Sequence, residues 1–210
     1  MTVLTETVRA GECVISLASG TRSRDAVTVL LGEDLAAGHV IGRVTIGAAV
    51  AAHVAGGTGN STFSTIDVYS DALPGVYTLT CTAATKFTVT DPNGGLVGLL
   101  TLGTVFAGGG LSFTQTAGAT PHEAGDLATI TIAAGTGKVR EWNPANTDGS
   151  QVAAGILIDA VDATSADADG VAITRDAEIN SAELFHYSGA TTATKALAAR
   201  HLAAVGVLVR

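Results

Sequence analysis

Val76-Tyr77-Thr78-Leu79-Thr80-Cys81-Thr82, followed after a short break by Phe87-Thr88-Val89-Thr90 and then Asp91-Pro92-Asn93-Gly94-Gly95, decides the fold class. Threonine alternates with tyrosine, leucine and cysteine in the first run, and with phenylalanine and valine in the second. Period 2 is the side-chain period of a strand, and β-branched residues suit a pleated surface. The 91–95 segment is a turn: proline fixes φ, and glycine tolerates positive φ. Outward from this hairpin, residues 63–69, 96–106, 111–114 and 127–132 read as further strands between turn residues. The expectation for residues 60–133 is an antiparallel β-sandwich of about six strands, threonines outward and large apolar groups inward. Glycine-rich joints at 56–59 and 135–137 bracket it as an inserted domain.

The flanks differ. Residues 1–27 alternate weakly and carry no helical period, so they read as an arm or edge strand without a core of its own. Residues 28–59 and 134–210 read as one core domain split by the insertion. In it, Gly38 and Gly42 bracket a turn into a strand with a kink or bulge. Residues 139–142 form a strand ending at Asn143-Pro144, and residues 152–161 a buried strand. Residues 167–170 read as a turn leading into another strand. A helix is expected over 192–204, with Thr191 or Thr192 as N-cap and Gly206 as stop. Ala193, Leu197, Leu202 and Val205 would form its buried stripe. The chain closes on a short valine-rich strand.

The 210 residues carry 11 Lys and Arg against 19 Asp and Glu, a formal net charge of −8. No basic run occurs, which argues against nucleic acid as a partner. Charged residues are only 14% of the chain, which fits a surface partly covered by a partner. No 18-residue apolar run exists, so no membrane span is expected. The N-terminus has neither a basic n-region nor an apolar h-region. The Asn60-Ser61-Thr62 sequon then carries no meaning. Cys13 and Cys81 are too few for a disulfide framework, and their pairing stays open.

Chemical motifs are weak. Gly135-Thr136-Gly137-Lys138 suggests a phosphate loop, but Ile132 stands where that pattern needs glycine and Val139 where it needs Ser or Thr. Asp167, Asp169, Gly170 and Asp176 fit part of a calcium loop, with Ser165 at its first position and no closing glutamate. A solvated turn reads better. His39, His53, His122, His186 and His201 show no metal-ligand spacing, and His122-Glu123 reads as a loop dipeptide. No nucleophile elbow occurs. No cofactor is implied, and an enzyme has no motif behind it. Trp142 reads as a structural aromatic, with a binding anchor as the alternative.

Several segments recur in a characteristic order. They are Leu35-Ala36-Ala37-Gly38-His39-Val40-Ile41-Gly42-Arg43-Val44, Gly137-Lys138-Val139-Arg140-Glu141-Trp142-Asn143-Pro144, Gly155-Ile156-Leu157, and Arg175-Asp176-Ala177-Glu178-Ile179-Asn180, then helix and closing strand. In this order the outer segments, roughly 1–55 and 133–210, resemble the lambda-type phage head decoration protein D family. The middle segment is similar to a longer subgroup. The resemblance implies a mainly β fold: a β-clip-like pseudobarrel with one C-terminal helix, here with an inserted antiparallel β-sandwich. It implies a non-enzymatic cement protein that acts as a homotrimer on the major capsid protein. Its place is the outer surface of the expanded head, at three-fold and quasi-three-fold positions, after synthesis in the host cytoplasm. The N-terminal arm would add a strand to the capsid protein, through Val3, Leu4, Thr5, Thr7, Val8, Val14 and Ile15. Trp142, Asn143, Pro144 and Arg175 are candidate trimer or capsid contacts. The alternative is a tail-tube or fibre-associated β-domain of a phage virion.

Overall fold

The computed structural model describes residues 9–210 and divides the chain into two compact units. Unit 1 takes the chain up to Val44 together with Gly137–Arg210; unit 2 is Thr45–Thr136. In chain order, unit 1 begins with β1 (Val14–Leu17), β2 (Arg24–Val29), β3 (Asp34–Leu35) and β4 (Val40–Arg43). Unit 2 follows with β5 (Ile46–His53), β6 (Thr62–Phe63), β7 (Asp67–Val68), β8 (Gly75–Ala83) and β9 (Lys86–Thr90). It continues through β10 (Leu96–Thr101), β11 (Val105–Gly108), β12 (Leu111–Thr116) and β13 (Leu127–Ala134). The chain returns to unit 1 as β14 (Val139–Glu141), β15 (Ala153–Leu157), β16 (Val161–Asp162), β17 (Ala168–Ile173) and β18 (Ala177–Ile179), then α1 (Thr192–Ala204) and β19 (Val207–Val209). The fold is mainly β with one helix near the C-terminus among the described residues.

In unit 2, β10-β9-β8-β13-β5 form an antiparallel sheet, and β11-β12-β6 a second one with β7 on β12. The alternation of β8 is realised: Tyr77, Leu79 and Cys81 are buried. They share one core with Phe87, Val89, Leu100, Phe106, Leu111, Phe113, Ala128, Ile130 and Ile132. Burying each large side chain contributes about 1.5–3 kcal/mol. The Tyr77 hydroxyl accepts from the Leu73 amide and donates to the Gly109 carbonyl, so its polar end is satisfied. In the 91–95 turn, Asp91 Oδ1 accepts from the Asn93 and Gly95 amides, and Gly94 sits at φ +83°. The expected single strand over 96–106 is two, β10 and β11, separated by Gly103 at φ +78°.

The joints differ from those read in composition. The chain passes between units at Val44/Thr45 and Thr136/Gly137, not at 59/60 and 133/134. The reason is β5, which pairs with β13 from Ile46 to His53 and buries Ile46 in the unit 2 core.

In unit 1, β14-β2-β17-β15-β4 close into a barrel. The pairs are antiparallel except β14–β2. One apolar cluster gathers Val27, Val29, Leu35, Ile41, Val139, Leu157 and Val161. A second gathers Cys13, Val40, Trp142, Ile156, Ile173, Ile179, Leu202 and Val207. The glycines do as expected in part. Gly38 turns at φ +79°. Beside Gly42 the register shifts in the partner strand, between Ala153 and Gly155. A Cβ at Gly42 would stand 2.0 Å from the Ser150 carbonyl oxygen, so only glycine fits there.

Three local expectations change. Residues 9–27 are not a free arm: Cys13 is 1% exposed, β1 pairs with β18, and β2 belongs to the barrel. The expected 167–170 turn is the start of β17, with Asp169 opposite Thr28 and Gly170 opposite Val27. α1 keeps its limits and cap, Thr191 forming a capping box with Thr194. Its buried face is Ala198 and Leu202, with Leu197 partly buried. Ala193 is exposed, lying off the 198/202 face, and Val205 is exposed because it is the non-helical C-cap.

Candidate interaction surface

The root of the N-terminal segment is built from a tight turn. Gly11 takes φ +71°, and its amide donates to the Ile158 carbonyl at 3.0 Å. Glu12 Oε2 accepts from the Arg9 amide at 3.0 Å, and the Val14 amide donates to the Gly11 carbonyl. Next to this turn Cys13 is buried, and its carbonyl accepts from the Asn180 amide at 2.8 Å. Whatever precedes Arg9 therefore starts from a fixed point. Val3, Leu4, Thr5, Thr7 and Val8 lie outside the described residues.

Val14 and Ile15 lie on β1, an edge strand of the β1-β18-β19 sheet. The register shifts between Val14 and Ser16, which leaves Ile15 unpaired and 55% exposed. Val14 instead packs against the core. Across the sheet, Glu178 accepts from the Ser16 hydroxyl and from Arg210 Nε and Nη2. The Arg210 hydrogen bonds, then that of Ser16, hold the Glu178 carboxyl below its ordinary value. Among the described residues, β1 thus offers an edge of its sheet, one exposed aliphatic side chain and a paired charge.

Arg175 lies in the turn between β17 and β18. Its Nη2 pairs with the Asp25 carboxylate, and its Nη1 donates to the Arg22 carbonyl. The Thr174 hydroxyl first, against some desolvation, and Arg175 next lower the Asp25 carboxyl. Asp176 beside it holds φ +47°, the single positive φ outside glycine among the described residues. Asn143 and Pro144 follow β14 in a half-buried turn, with Asn143 Oδ1 accepting from the Ala145 amide. Trp142 is different. It is fully buried, and its Nε1 donates to the Gln151 carbonyl at 2.8 Å. Its ring is edge-on to Tyr187, His186 and His201. A side chain with no exposed surface belongs to the core of unit 1 and offers no contact.

Sequence reading missed one constellation in unit 2, formed by Ser61, His122 and Asp126. His122 Nε2 lies 2.8 Å from Ser61 Oγ, and His122 Nδ1 lies 3.0 Å from Asp126 Oδ2. Gln115 Nε2 donates to Ser61 Oγ at 2.6 Å. Asp126 also accepts from the Thr58, Gly59 and Glu123 amides. Burial works to raise the Asp126 carboxyl, but these amides and His122 outweigh it and hold it far below the ordinary range. The separation of 61 residues between Ser61 and His122 gave no local pattern to find.

The acidic residues of the 165–176 segment are engaged within unit 1. Asp167 accepts from the Leu31 amide and pairs with Lys138, while Asp169 accepts from the Thr28 hydroxyl on β2. Among the described residues no group of three or more His, Cys, Asp or Glu could hold a metal ion. Among them, too, no helix is long and apolar enough to cross a membrane. Cys13 and Cys81 are both free and buried, one in each unit, and burial pushes both thiols up.

A β-barrel with an edge strand at an anchored N-terminal segment, carrying a β-sandwich in mid-chain, fits a structural protein that works by surface contact. The particular kind is given by family: the chain matches the bacteriophage lambda head decoration protein D family over residues 3–207 and belongs to it. The match runs through the middle segment as well as the flanks. Membership makes this chain a structural protein of a phage head, in the capsid of the virion. No curated protein matches it. Among solved structures, FlgL of Xanthomonas campestris is 20% identical with a TM-score of 0.35, over 47% of this chain and 33% of that one. The flagellar hook junction protein FlgK of Burkholderia pseudomallei is 22% identical with a TM-score of 0.33, over 61% and 23%. The chain thus spans a third or less of these proteins, and at such scores the likeness carries no argument.

Proposed function

We propose that this protein is a cement: a homotrimer that binds the outer surface of the expanded head at three-fold and quasi-three-fold positions and stabilises it. The family match over residues 3–207 carries this reading. The partner is the major capsid protein. The N-terminal residues Val3, Leu4, Thr5, Thr7 and Val8 form the arm that adds a strand to it, and Ile15 on the exposed edge of β1 extends that contact. Backbone hydrogen bonds give such a joint its affinity, and alternate side chains give it register. The turn at Arg9–Glu12 supports the reading, since a segment that adds a strand to a partner needs a rigid root. Asn143, Pro144 and Arg175 serve as trimer or capsid contacts from their partly exposed turns. Three arms on one trimer convert modest contacts into avidity. Binding a site formed only on the expanded shell stabilises that shell by mass action. Unit 2 is a separate module on this scaffold.

Co-sedimentation of the purified protein with expanded and unexpanded empty heads, at several protein-to-head ratios, tests this. Saturable binding to expanded heads alone is the expected outcome, with a saturating copy number divisible by three. Absence of binding to either form would overturn the reading.

A further inference from the structure

We propose that Ser61 in unit 2 is an activated nucleophile that takes an acyl group from small aliphatic esters, with His122 as its base and Asp126 as the group that orients His122. The proposal is independent of the capsid reading. It starts from the protons, assigned by what each partner can donate or accept. Gln115 Nε2 can only donate, so it occupies one lone pair of Ser61 Oγ, 2.6 Å away. His53 Nε2 stands 3.5 Å from the same oxygen but 2.7 Å from the Ser61 carbonyl, which can only accept. The His53 proton is therefore on Nε2, and that nitrogen cannot receive another. The Asp126 carboxylate only accepts, which places a proton on His122 Nδ1. His122 Nε2 is left with its lone pair, 2.8 Å from Ser61 Oγ, and the hydroxyl proton points at it. This is the arrangement of a hydroxyl hydrogen-bonded to a base whose far nitrogen is held by a carboxylate.

The surroundings keep that base in place. A Cβ on Gly59 would stand 2.1 Å from His122 Nδ1, so glycine backbone lies directly on the imidazole. The His122 ring meets Phe87 edge-on, at 5.0 Å between centroids. His122, though not Ser61, lines a cavity of about 230 Å³ together with Ala84, Thr85, Leu102, Ala117, Thr120 and Pro121. Its apolar walls suit a short acyl chain. Ser61 itself is 4% exposed. Over it lies His53, an exposed residue at the end of β5, whose side chain must swing aside to admit an ester.

In the reaction Ser61 Oγ attacks the ester carbonyl carbon while its proton passes to His122 Nε2. The carbon–oxygen bond to the alcohol then breaks, and the departing alkoxide takes that proton. The acyl group is left on Ser61, and water reverses the sequence. No cofactor enters.

A small fluorophosphonate tests the site in the full-length protein. Ser61 Oγ forms the O–P bond, fluoride leaves, and the proton goes through His122; peptide mass mapping locates the adduct. The expected result is an adduct on Ser61 formed at least ~100-fold faster than on the exposed Ser64, the range a positioned base supplies. His122→Asn should slow it by a similar factor, and His53→Ala should speed it several-fold by uncovering the hydroxyl. The idea is overturned if Ser61 stays unlabelled, or labels no faster than Ser64. It is equally overturned if a folded His122→Asn variant labels as fast as the parent. Should that variant not fold, the Ser61-to-Ser64 ratio in the parent protein still decides.

Discussion

Unit 2 draws both of its sheets from one uninterrupted stretch, Thr45–Thr136, whereas the barrel of unit 1 closes only when β2 and β4 meet β14, β15 and β17 from beyond that stretch. Neighbouring strands β8, β9 and β10 of unit 2 pair in chain order. In unit 1, β2 pairs with β17 across more than a hundred intervening residues (positions 24–29 against 168–173). Unit 2 joins its local hairpins to the more distant pairs β13–β5 and β13–β8, all within 45–136, whereas unit 1 must also close the longer loop between β2 and β17. Unit 2 should therefore fold by itself and early, and unit 1 should follow.

The largest effect that could break this comparison is a core truncation in one unit. Trp142→Ala removes the only tryptophan, fully buried in unit 1, and should cost about 3–5 kcal/mol. Calorimetry should show the unit 1 transition fall while that of unit 2 stays put. Equal shifts in both would mean that the units are not independent. Gly42→Ala comes next. The added methyl would sit 2.0 Å from the Ser150 carbonyl, so a loss of at least ~1–3 kcal/mol in urea unfolding is expected, again confined to unit 1. Excision sharpens the boundaries. A fragment of 45–136 should give a cooperative melt, and unit 1 joined by a short Gly/Ser bridge should fold as well. Removing only 60–133 should instead leave a destabilised product, because β5 loses its partner β13 and Ile46 loses its core.

Acid should also separate the units. Asp126 is depressed in the folded state from an ordinary value of 3.8. A depressed carboxyl stabilises the fold above its unfolded value, and that contribution is lost as pH falls through the folded one. Unit 2 should therefore weaken below about pH 4. Asp126→Asn should be less stable than the parent at pH 7, with the gap closing towards pH 2 in denaturant titrations. The smallest effect is expected at Leu99, 75% exposed on β10: Leu99→Thr should stay within ~0.5 kcal/mol of the parent.

The same contrast explains what the sequence revealed. In unit 2 the period-2 alternation of β8 and β9 and the 91–95 turn are local signals, and each names its own inward face. In unit 1 the pairing of β2 with β17 and the close approach at Gly42 depend on partners far away in the chain. The cap of α1 was legible because Thr191, Thr194 and Gly206 act within a few residues. Its buried face was not, since the neighbours of Ala198 and Leu202 come from other strands. Residues 9–27 looked coreless because their core is supplied by β17, β18 and β19. The motif order from Leu35 to Asn180 pointed to the family. The Ser61–His122–Asp126 contact could not be read, because loops distant in sequence bring it together.

The proposed N-terminal capsid contact can be removed without touching the barrel. Its most direct test is a protein lacking residues 1–8, cut just ahead of the Arg9–Glu12 turn so that Cys13 and β1 keep their places. Its melting profile should be unchanged and its co-sedimentation with expanded heads lost. Full binding by this truncated protein would contradict it.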